Sequence, residues 1–174
     1  MKRPGTRATY DALLTRIRHR VPGVALRTTF IVGFPGETDA DVDQLGGFIE
    51  DHTFEHVGVF TYSHEEGTSA FDFDNDVQAA DKSARQRRVM SLQKRLIRKR
   101  QHGRIGERNR IMIDGPASDH ELVLKGRLST QAPDIDASVF LTDCDPSTFR
   151  PGDLVQAEIV GAKDYDLIAR PILG

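Results

Sequence analysis

Two loops hold the side chains that could bind a small ligand. The first contains Gly33, a Phe-Pro-Gly turn and Glu37, and it lies between a β-rich apolar run and a helix start at Thr38. The second follows another β-rich run and contains Tyr62 and Ser63 in a polar segment with a glycine. Because the carboxyl ends of parallel strands meet at one edge of a sheet, we expect the two loops side by side, where α/β folds place their active sites.

Each of these residues also has an ordinary structural explanation. Gly33 would let the backbone approach a ligand closely, but a turn alone can require glycine. Glu37 is either the partner of a polar ligand group or a helix-start carboxylate. Arg27 lies in a strand of otherwise uncharged residues and needs a partner, which is a ligand carboxylate or a structural acid. Tyr62 and Ser63 stand at a strand end, where barrel enzymes concentrate function, although an ordinary lip tyrosine explains Tyr62 as well.

Metal and thiol chemistry have weak support in this sequence. His52 and His56 are four residues apart, but the helix should end between them, so we predict no zinc site. Cys144 is the single cysteine and lies between Asp143 and Asp145. The flanking carboxylates should raise the pKa of its thiol, which favours a structural role over a reactive thiolate.

The composition suits a protein of a reducing compartment. The chain has 174 residues, enough for one medium or two small domains, with 29% charged residues and a mean hydropathy of −0.44. No apolar run approaches the roughly 18–20 residues of a membrane span, and the basic start has no apolar core behind it as a signal peptide would. One cysteine permits no internal disulfide. We therefore expect a cytoplasmic protein without membrane contact.

The first 104 residues predict alternating helices and strands. The run before Gly33 is almost continuously apolar and β-branched, as in a strand buried on both faces. Thr38 followed by Asp41 resembles a capping box at a helix start. The predicted elements are helix 9–21, strand 24–32, a helix from Thr38, strand 56–62 and helix 81–101. This order predicts parallel strands joined by right-handed crossovers, as in part of a (β/α) barrel.

The glycine pair in the second predicted helix and the many cations of the third each need an explanation. Gly46 and Gly47 each weaken their helix by about 1 kcal/mol relative to alanine, and we predict that close packing against a neighbour explains them. Ten Lys or Arg residues lie between Lys82 and Arg104. They form either a solvated face or a contact with an anionic surface or an acidic neighbouring domain.

The pattern changes after Gly103 to short alternating runs separated by Gly, Pro and Asp turns. Five such runs within about 65 residues predict a small antiparallel, OB-like β-barrel. We therefore predict two domains, residues 1–104 and 105–174. The first has 17 Lys and Arg against 14 Asp and Glu, and the second has 7 against 12, a net charge of −5. An acidic barrel repels phosphates and attracts basic proteins.

Four segments together resemble the C-terminal part of the radical S-adenosylmethionine (SAM) methylthiotransferases. They are Thr-Thr-Phe-Ile-Val-Gly-Phe-Pro-Gly-Glu-Thr at 28–38, Tyr-Ser-x-Glu-Glu-Gly-Thr-x-Ala at 62–70, Arg-Arg-Val-Met-x-Leu-Gln at 87–93 and a terminal β-module of TRAM type. The resemblance covers almost the whole chain. It implies that SAM lies near the first two segments, with Arg27, Gly33, Glu37, Tyr62 and Ser63 as candidate contacts.

Within that family, the chain most resembles the branch that modifies an aspartate of a small-subunit ribosomal protein. The loop at 63–67 lacks the basic residue that the tRNA-modifying branch tends to carry, and residues 131–136 resemble the Ala-Pro-Glu-Ile-Asp turn of the ribosomal-protein branch. The acidic barrel independently favours a basic protein over tRNA, although RNA stays possible. The candidate substrate contacts are Glu65, Glu66, Asp134 and Asp136, and a solvated loop is the alternative for the two glutamates.

The resemblance also implies cofactors for which this sequence has no ligands. The family uses a Cys-x3-Cys-x2-Cys loop for one [4Fe-4S] cluster and three further cysteines for a second, whereas this chain has only Cys144. We therefore expect no catalytic or metal-ligating residue here. The sequence is interpreted as the back half of the enzyme, which needs the N-terminal part as its partner for the radical chemistry. A tRNA-modifying parent and a non-catalytic module that binds ribosomal protein or RNA are the alternatives.

Overall fold

A computed structural model describes residues 5–74, 76–117 and 120–172. The elements are α1 (Arg7–Arg20), β1 (Arg27–Val32), α2 (Asp39–His52), β2 (His56–Thr61), α3 (Ala79–Gly103), β3 (Arg108–Ala117), β4 (His120–Arg127), β5 (Val139–Leu141), a 3-10 turn (Pro146–Thr148), β6 (Leu154–Lys163) and β7 (Asp166–Pro171). The chain divides into two compact units inside α3, between Gln93 and Lys94. The predicted fold class, parallel strands with helices followed by a five-stranded barrel, is confirmed.

The first unit contains a two-stranded parallel sheet with unequal faces. β1 and β2 pair from Arg27 opposite His56 to Val32 opposite Thr61. The prediction that the first strand is buried on both faces is wrong, because exposed and covered residues alternate along β1. Ile31 and Phe60, which are partners in the register, are 50% and 63% exposed.

The covered face of this sheet packs through aromatic side chains against α2. The Phe30 ring lies 6.3 Å from the rings of both Phe48 and Phe54, in edge-on contacts. Val32 and Val59 are buried in the core of the same unit. The Gln86 side chain of α3 donates a hydrogen bond to the Val59 carbonyl oxygen. This face therefore supplies the first unit's core.

Both ends of α2 are set by local hydrogen bonds. The Thr38 side chain accepts from the Asp41 amide, and the Asp41 carboxylate accepts from the Thr38 amide, so the predicted capping box is complete. The helix ends at His52, before His56, as predicted, with Thr53 in the left-handed conformation. These caps satisfy backbone groups that the first and last turns leave without helical partners.

The glycine pair in α2 corrects one expectation. A Cβ added at Gly46 would meet Leu92 Cδ2 at 3.5 Å, an ordinary contact, and one added at Gly47 would meet no atom of the described residues within 4 Å. Close packing therefore does not require glycine at either position, and the structure gives no reason for Gly47.

The second unit is a closed barrel with strand order β3-β4-β5-β7-β6. Its pairs are antiparallel except β5 and β7, which run parallel, so the barrel is mixed where the sequence predicted an antiparallel one. The crossover that creates this pair runs through the 3-10 turn and β6. Among the described side chains, eleven buried apolar ones from all five strands and the residue after β4 fill the interior.

The basic helix α3 pairs many of its cations with acids of the unit in which each lies. Arg85 and Arg88 contact acids of the α2 segment, and Lys94 and Arg98 contact Asp164 in the turn between β6 and β7. Its buried side chains recur on one stripe that includes Val89, Gln93 and Ile97. Among the described residues, no helix combines the length and apolarity that a membrane crossing needs.

Candidate functional site

The two loops predicted to share a sheet edge do lie side by side. The Tyr62 amide donates to the Val32 carbonyl oxygen at 2.8 Å, which extends the β1–β2 register by one step. Gly33 and Tyr62 therefore stand together at the carboxyl ends of the strands. The Phe34 and Tyr62 rings are in edge contact, 5.1 Å apart.

Lys82 of α3 joins these two loops, and the sequence did not predict this. The side chain of Lys82 lies among neighbours that leave the residue only 8% exposed. Its ammonium donates to the Tyr62 carbonyl oxygen at 3.4 Å and lies 5.0 Å from the centre of the Tyr62 ring. An ammonium over an aromatic face is an attractive arrangement, and more so when water is excluded.

A left-handed backbone and the approach of Lys82 both favour glycine at position 33. Its φ is +77°, and a Cβ added there would lie 2.3 Å from Lys82 Cγ. The close approach that the sequence suggested therefore exists, and in the structure the group that approaches is a side chain of the same protein. Carbon atoms cannot pack at that distance, so any larger residue would displace Lys82 or the loop.

Glu37 holds the first loop and is itself held. One carboxylate oxygen, Oε1, accepts from the Gly33 amide at 2.7 Å and from Arg85 Nη1 at 3.0 Å. Arg85 also donates to the Glu37 carbonyl oxygen and to Asp39. Burial opposes the charge of Arg85, but the hydrogen bonds from Glu37 and Asp39 outweigh it and raise the pKa of the guanidinium. In the structure Glu37 therefore links the loop at Gly33 to α3 through hydrogen bonds.

The second loop carries a chain of polar and aromatic contacts. The Ser63 hydroxyl donates to Glu65 at 2.6 Å, and both residues are exposed, as is Glu66. The Tyr62 hydroxyl lies 3.2 Å from His64 Nδ1 and 3.4 Å from the Ala70 carbonyl oxygen. These contacts fold residues 62–70 back on themselves beside the first loop.

Arg27 is far from this edge. It begins β1, whereas Gly33 follows its end, and six residues of strand at about 3.3 Å each separate them by about 20 Å. Arg27 has interaction partners within the protein. Of the five predicted cofactor contacts, the structure brings together Gly33, Glu37, Tyr62 and Ser63.

The two predicted contacts in the second unit differ from each other. Asp134 has a side chain 90% exposed, in the left-handed conformation, 3.6 Å from Lys125 Nζ. Asp136 instead closes its own turn, since its carboxylate accepts from the Ala132 amide at 2.7 Å. Asp134 is therefore available to a partner, and Asp136 shapes the turn that presents it.

A basic groove on the second unit was not predicted. It has a volume of about 340 Å³ and includes Arg104, Arg110 and Arg127 with hydroxyl and amide side chains around them. Arg104 pairs with Glu107 and Arg127 with Asp114. The alternation of Arg108, Arg110 and Met112 along β3 would have indicated an outward basic row, but the whole-domain charge of −5 concealed it.

Cys144 behaves as the sequence predicted. It is partly buried against the barrel core. Burial, followed by the charges of Asp143 and Asp145, raises the pKa of its thiol. No three His, Cys, Asp or Glu side chains within the described parts of the chain are grouped to hold a metal ion.

The cofactors implied by the resemblance fit these residues unequally. A [4Fe-4S] cluster needs several thiolates, and one half-buried thiol does not fit it. For SAM, Phe34 and Tyr62 offer ring faces and edges at the strand ends, which suit an adenine. The Gly33 amide and the Glu37 carboxylate bind each other, which leaves the exposed Ser63 hydroxyl as the predicted polar group with space for a ligand.

Comparisons with known proteins agree with the resemblance. Residues 105–172 match the family described as TRAM domain. The chain is 42% identical over 172 residues to the ribosomal protein uS12 methylthiotransferase RimO of Myxococcus xanthus (strain DK1622), covering 99% of this chain and 36% of that protein. The RimO proteins of Solibacter usitatus (strain Ellin6076) and Pelobacter propionicus (strain DSM 2379 / NBRC 103807 / OttBd1) are 39% and 42% identical over 168 residues, 97% of this chain and 36% and 37% of their own lengths.

The chain thus spans a little over a third of the length of these relatives. Similarity extends through both units, while the TRAM match lies within the second. The predicted resemblance to the ribosomal-protein branch of the methylthiotransferases is confirmed over almost the whole chain, and residues 105–172 match the TRAM domain family.

Proposed function

We propose that this chain is the C-terminal part of a SAM-dependent methylthiotransferase that adds a methylthio group to an aspartate of ribosomal protein uS12. The observation that carries the proposal is the 42% identity to a RimO protein over 172 residues. When bound, SAM and two [4Fe-4S] clusters would supply the radical chemistry of the whole enzyme. The cluster ligands would come from outside these 174 residues, and this chain alone would be inactive.

In this proposal, the first unit forms part of the wall around SAM. Phe34 and Tyr62 present aromatic surface at the strand ends, and Ser63 presents a hydroxyl beside them. Lys82 fixes the distance between the two loops through its contacts with Tyr62 and its packing on Gly33. These residues bind and position, and none of them carries the reaction.

The second unit contributes the recognition of a basic protein. The barrel, residues 105–174, has a net charge of −5, which attracts uS12 if that protein is basic, and Asp134 is exposed on a turn that Asp136 holds closed. An opposite charge on the partner would steer association and fix its orientation more than it would raise affinity.

A binding titration of the full chain with purified uS12 tests this proposal. We expect binding that weakens as salt rises, because the contact is electrostatic. Asp134→Asn should weaken it by about two- to five-fold, the range of an exposed ion pair. Asp143→Asn is the matched control, since Asp143 also has a left-handed φ and its change removes the same charge. No binding of uS12 by the wild-type chain would refute the proposed recognition.

The arginine-lined groove supports a second candidate, an RNA partner such as the tRNA of the tRNA-modifying branch. Arg110 points outward from β3, is exposed, and has no ion pair or side-chain hydrogen bond to the described residues. Phosphate oxygens are natural partners of such a guanidinium. Tight binding of tRNA that Arg110→Ala abolishes, without binding of uS12, would favour this candidate.

A further inference from the structure

Exposed aromatic rings form a continuous strip at the carboxyl ends of β1 and β2. Phe34, Phe71 and Phe73 are 37%, 40% and 52% exposed. Tyr62 and His64 connect them: Phe73 contacts Phe34 at 6.1 Å, Phe34 contacts Tyr62, and Phe71 stacks on His64 at 4.8 Å. The rings hold each other in place and still leave apolar surface uncovered, which typically marks a binding site.

The same segment is strongly acidic. From residue 62 to residue 81 the sequence has six Asp or Glu and no Lys or Arg. Glu65, Glu66, Asp72 and Asp74 are exposed beside the rings. The next cations along the chain, Lys82 and Arg85, are engaged with Tyr62 and with Glu37. The carboxylates therefore face solvent without a neutralising base from within the segment.

This combination selects the chemistry of the partner. Dense negative charge repels RNA phosphates and anionic lipid. A guanidinium or ammonium group, by contrast, can lie on a phenylalanine face while it pairs with an adjacent carboxylate. The alternation Phe-Asp-Phe-Asp at 71–74 places one such ring next to each acid.

We propose that this acidic aromatic strip, comprising Phe34, Phe71, Phe73, Asp72 and Asp74, binds an arginine- or lysine-rich segment of the protein substrate. The proposal rests on the proposed function in naming uS12 as that substrate. It assigns to the first unit a substrate contact separate from the acidic barrel. The strip also lies next to the loops at the sheet edge, so a segment bound there would be held beside them.

Two double variants of the full chain test the strip, with uS12 and a short oligoarginine peptide as probes. Asp72→Asn with Asp74→Asn should weaken binding of both probes by about three- to ten-fold at low salt. Asp43→Asn with Asp51→Asn on α2 is the control, because it removes the same charge from exposed positions of the same unit. The control should change binding by less than about two-fold.

Phe71→Leu with Phe73→Leu tests the rings while it keeps apolar bulk. Loss of the aromatic faces should weaken oligoarginine binding by about two- to five-fold per ring. Val21→Ala, at a residue 52% exposed like Phe73, is the control for an exposed apolar change. Far-UV circular dichroism of each variant should match that of the wild type, since the changed side chains lie on the surface.

The outcomes separate this inference from the proposed function. If both strip variants bind oligoarginine and uS12 as tightly as their controls, the strip is not a binding site. If the wild-type chain binds oligoarginine through the strip but does not bind uS12, the strip's chemistry stands and the proposed substrate is wrong. If the strip variants lose affinity for both probes, both proposals are supported.

Discussion

The two units of this protein differ in how much of their sheets they bury. The barrel closes on itself, and residues such as Ile111, Ile159 and Leu167 are fully buried inside it. The sheet of the first unit has two strands, and its Ile31 and Phe60 face stays half or more exposed. The first unit compensates with caps, clamps and buried polar contacts.

This difference indicates what each unit depends on. A closed barrel removes strand edges and keeps its core on one side of every strand. The first unit instead relies on particular side chains, above all Lys82 between the loops and Glu37 with Arg85. We therefore expect core changes to dominate in the barrel and changes of turns and caps to dominate in the first unit.

The largest expected effect comes from one substitution made in both places. Ile159→Ala removes a fully buried side chain from the barrel and should cost about 2–5 kcal/mol of its unfolding free energy. Ile31→Ala, on the open sheet face, should change stability by about 0.5 kcal/mol or less. Hydrogen exchange read peptide by peptide in increasing urea measures both. Similar losses at the two sites would contradict the contrast drawn here.

A second pair of substitutions sharpens the role of Lys82. Gly33 and Gly36 have nearly the same φ, +77° and +78°, but only Gly33 has a neighbour in the space of a Cβ. Gly36→Ala should cost about 1–2 kcal/mol from the left-handed backbone alone. Gly33→Ala should cost about 2–4 kcal/mol, because overpacking against Lys82 is added. Urea unfolding of the first unit, followed by hydrogen exchange, measures both costs. Equal costs would show that the Lys82 side chain moves aside easily.

The capping box gives a smaller and pH-dependent effect. Thr38→Ala should cost about 1 kcal/mol, since the amide of Asp41 loses its side-chain acceptor. Hydrogen bonds from the Thr38 side chain and backbone lower the pKa of Asp41. A carboxyl with a lowered folded-state pKa stabilises above its unfolded pKa of about 3.9, and the stabilisation is lost as pH falls through the folded value. Hydrogen exchange of the α2 amides, measured as the pH is lowered, should show this loss in the wild type. The loss should be smaller in Asp41→Asn.

The smallest expected effect is a gain. Gly47→Ala adds a methyl group in the interior of α2, where no atom of the part of the chain that the structure describes lies within 4 Å. Helix propensity alone should then stabilise the first unit by about 1 kcal/mol. Thermal unfolding of the first unit should shift upward, and a downward shift would reveal a constraint that the surrounding packing does not show.

Much of the fold followed from local patterns. The capping pair at Thr38 and Asp41, the apolar spacing in α3 and the five alternating runs after Gly103 each predicted an element that the structure contains. Such signals are local, because hydrogen bonds and periodicity act over a few residues. The β5–β7 pairing was not predicted, because it joins strands that are distant along the chain and turns on which crossover closes the barrel.

The candidate site was predictable in position more than in detail. The sequence placed Gly33 and Tyr62 at one sheet edge, since parallel strands end together. It could not show that Lys82, about 50 residues from Gly33, fills the space next to that glycine. Nor could it show that Arg85 donates a hydrogen bond to the Glu37 carboxylate. Long side chains from a distant helix leave no periodic signal, so the groups that tune this edge appear only in three dimensions.

The burial of Lys82 also makes its chemical labelling a measure of the local structure. Amine-reactive reagents need a free, solvated amine, and this ammonium lies over Tyr62 in a residue that is 8% exposed. Lys94, on the same helix, has a side chain 43% exposed and should acylate readily. The ratio of labelling at these two lysines would therefore read out whether the loops at the sheet edge are closed, in a mixture and without purification of the folded form.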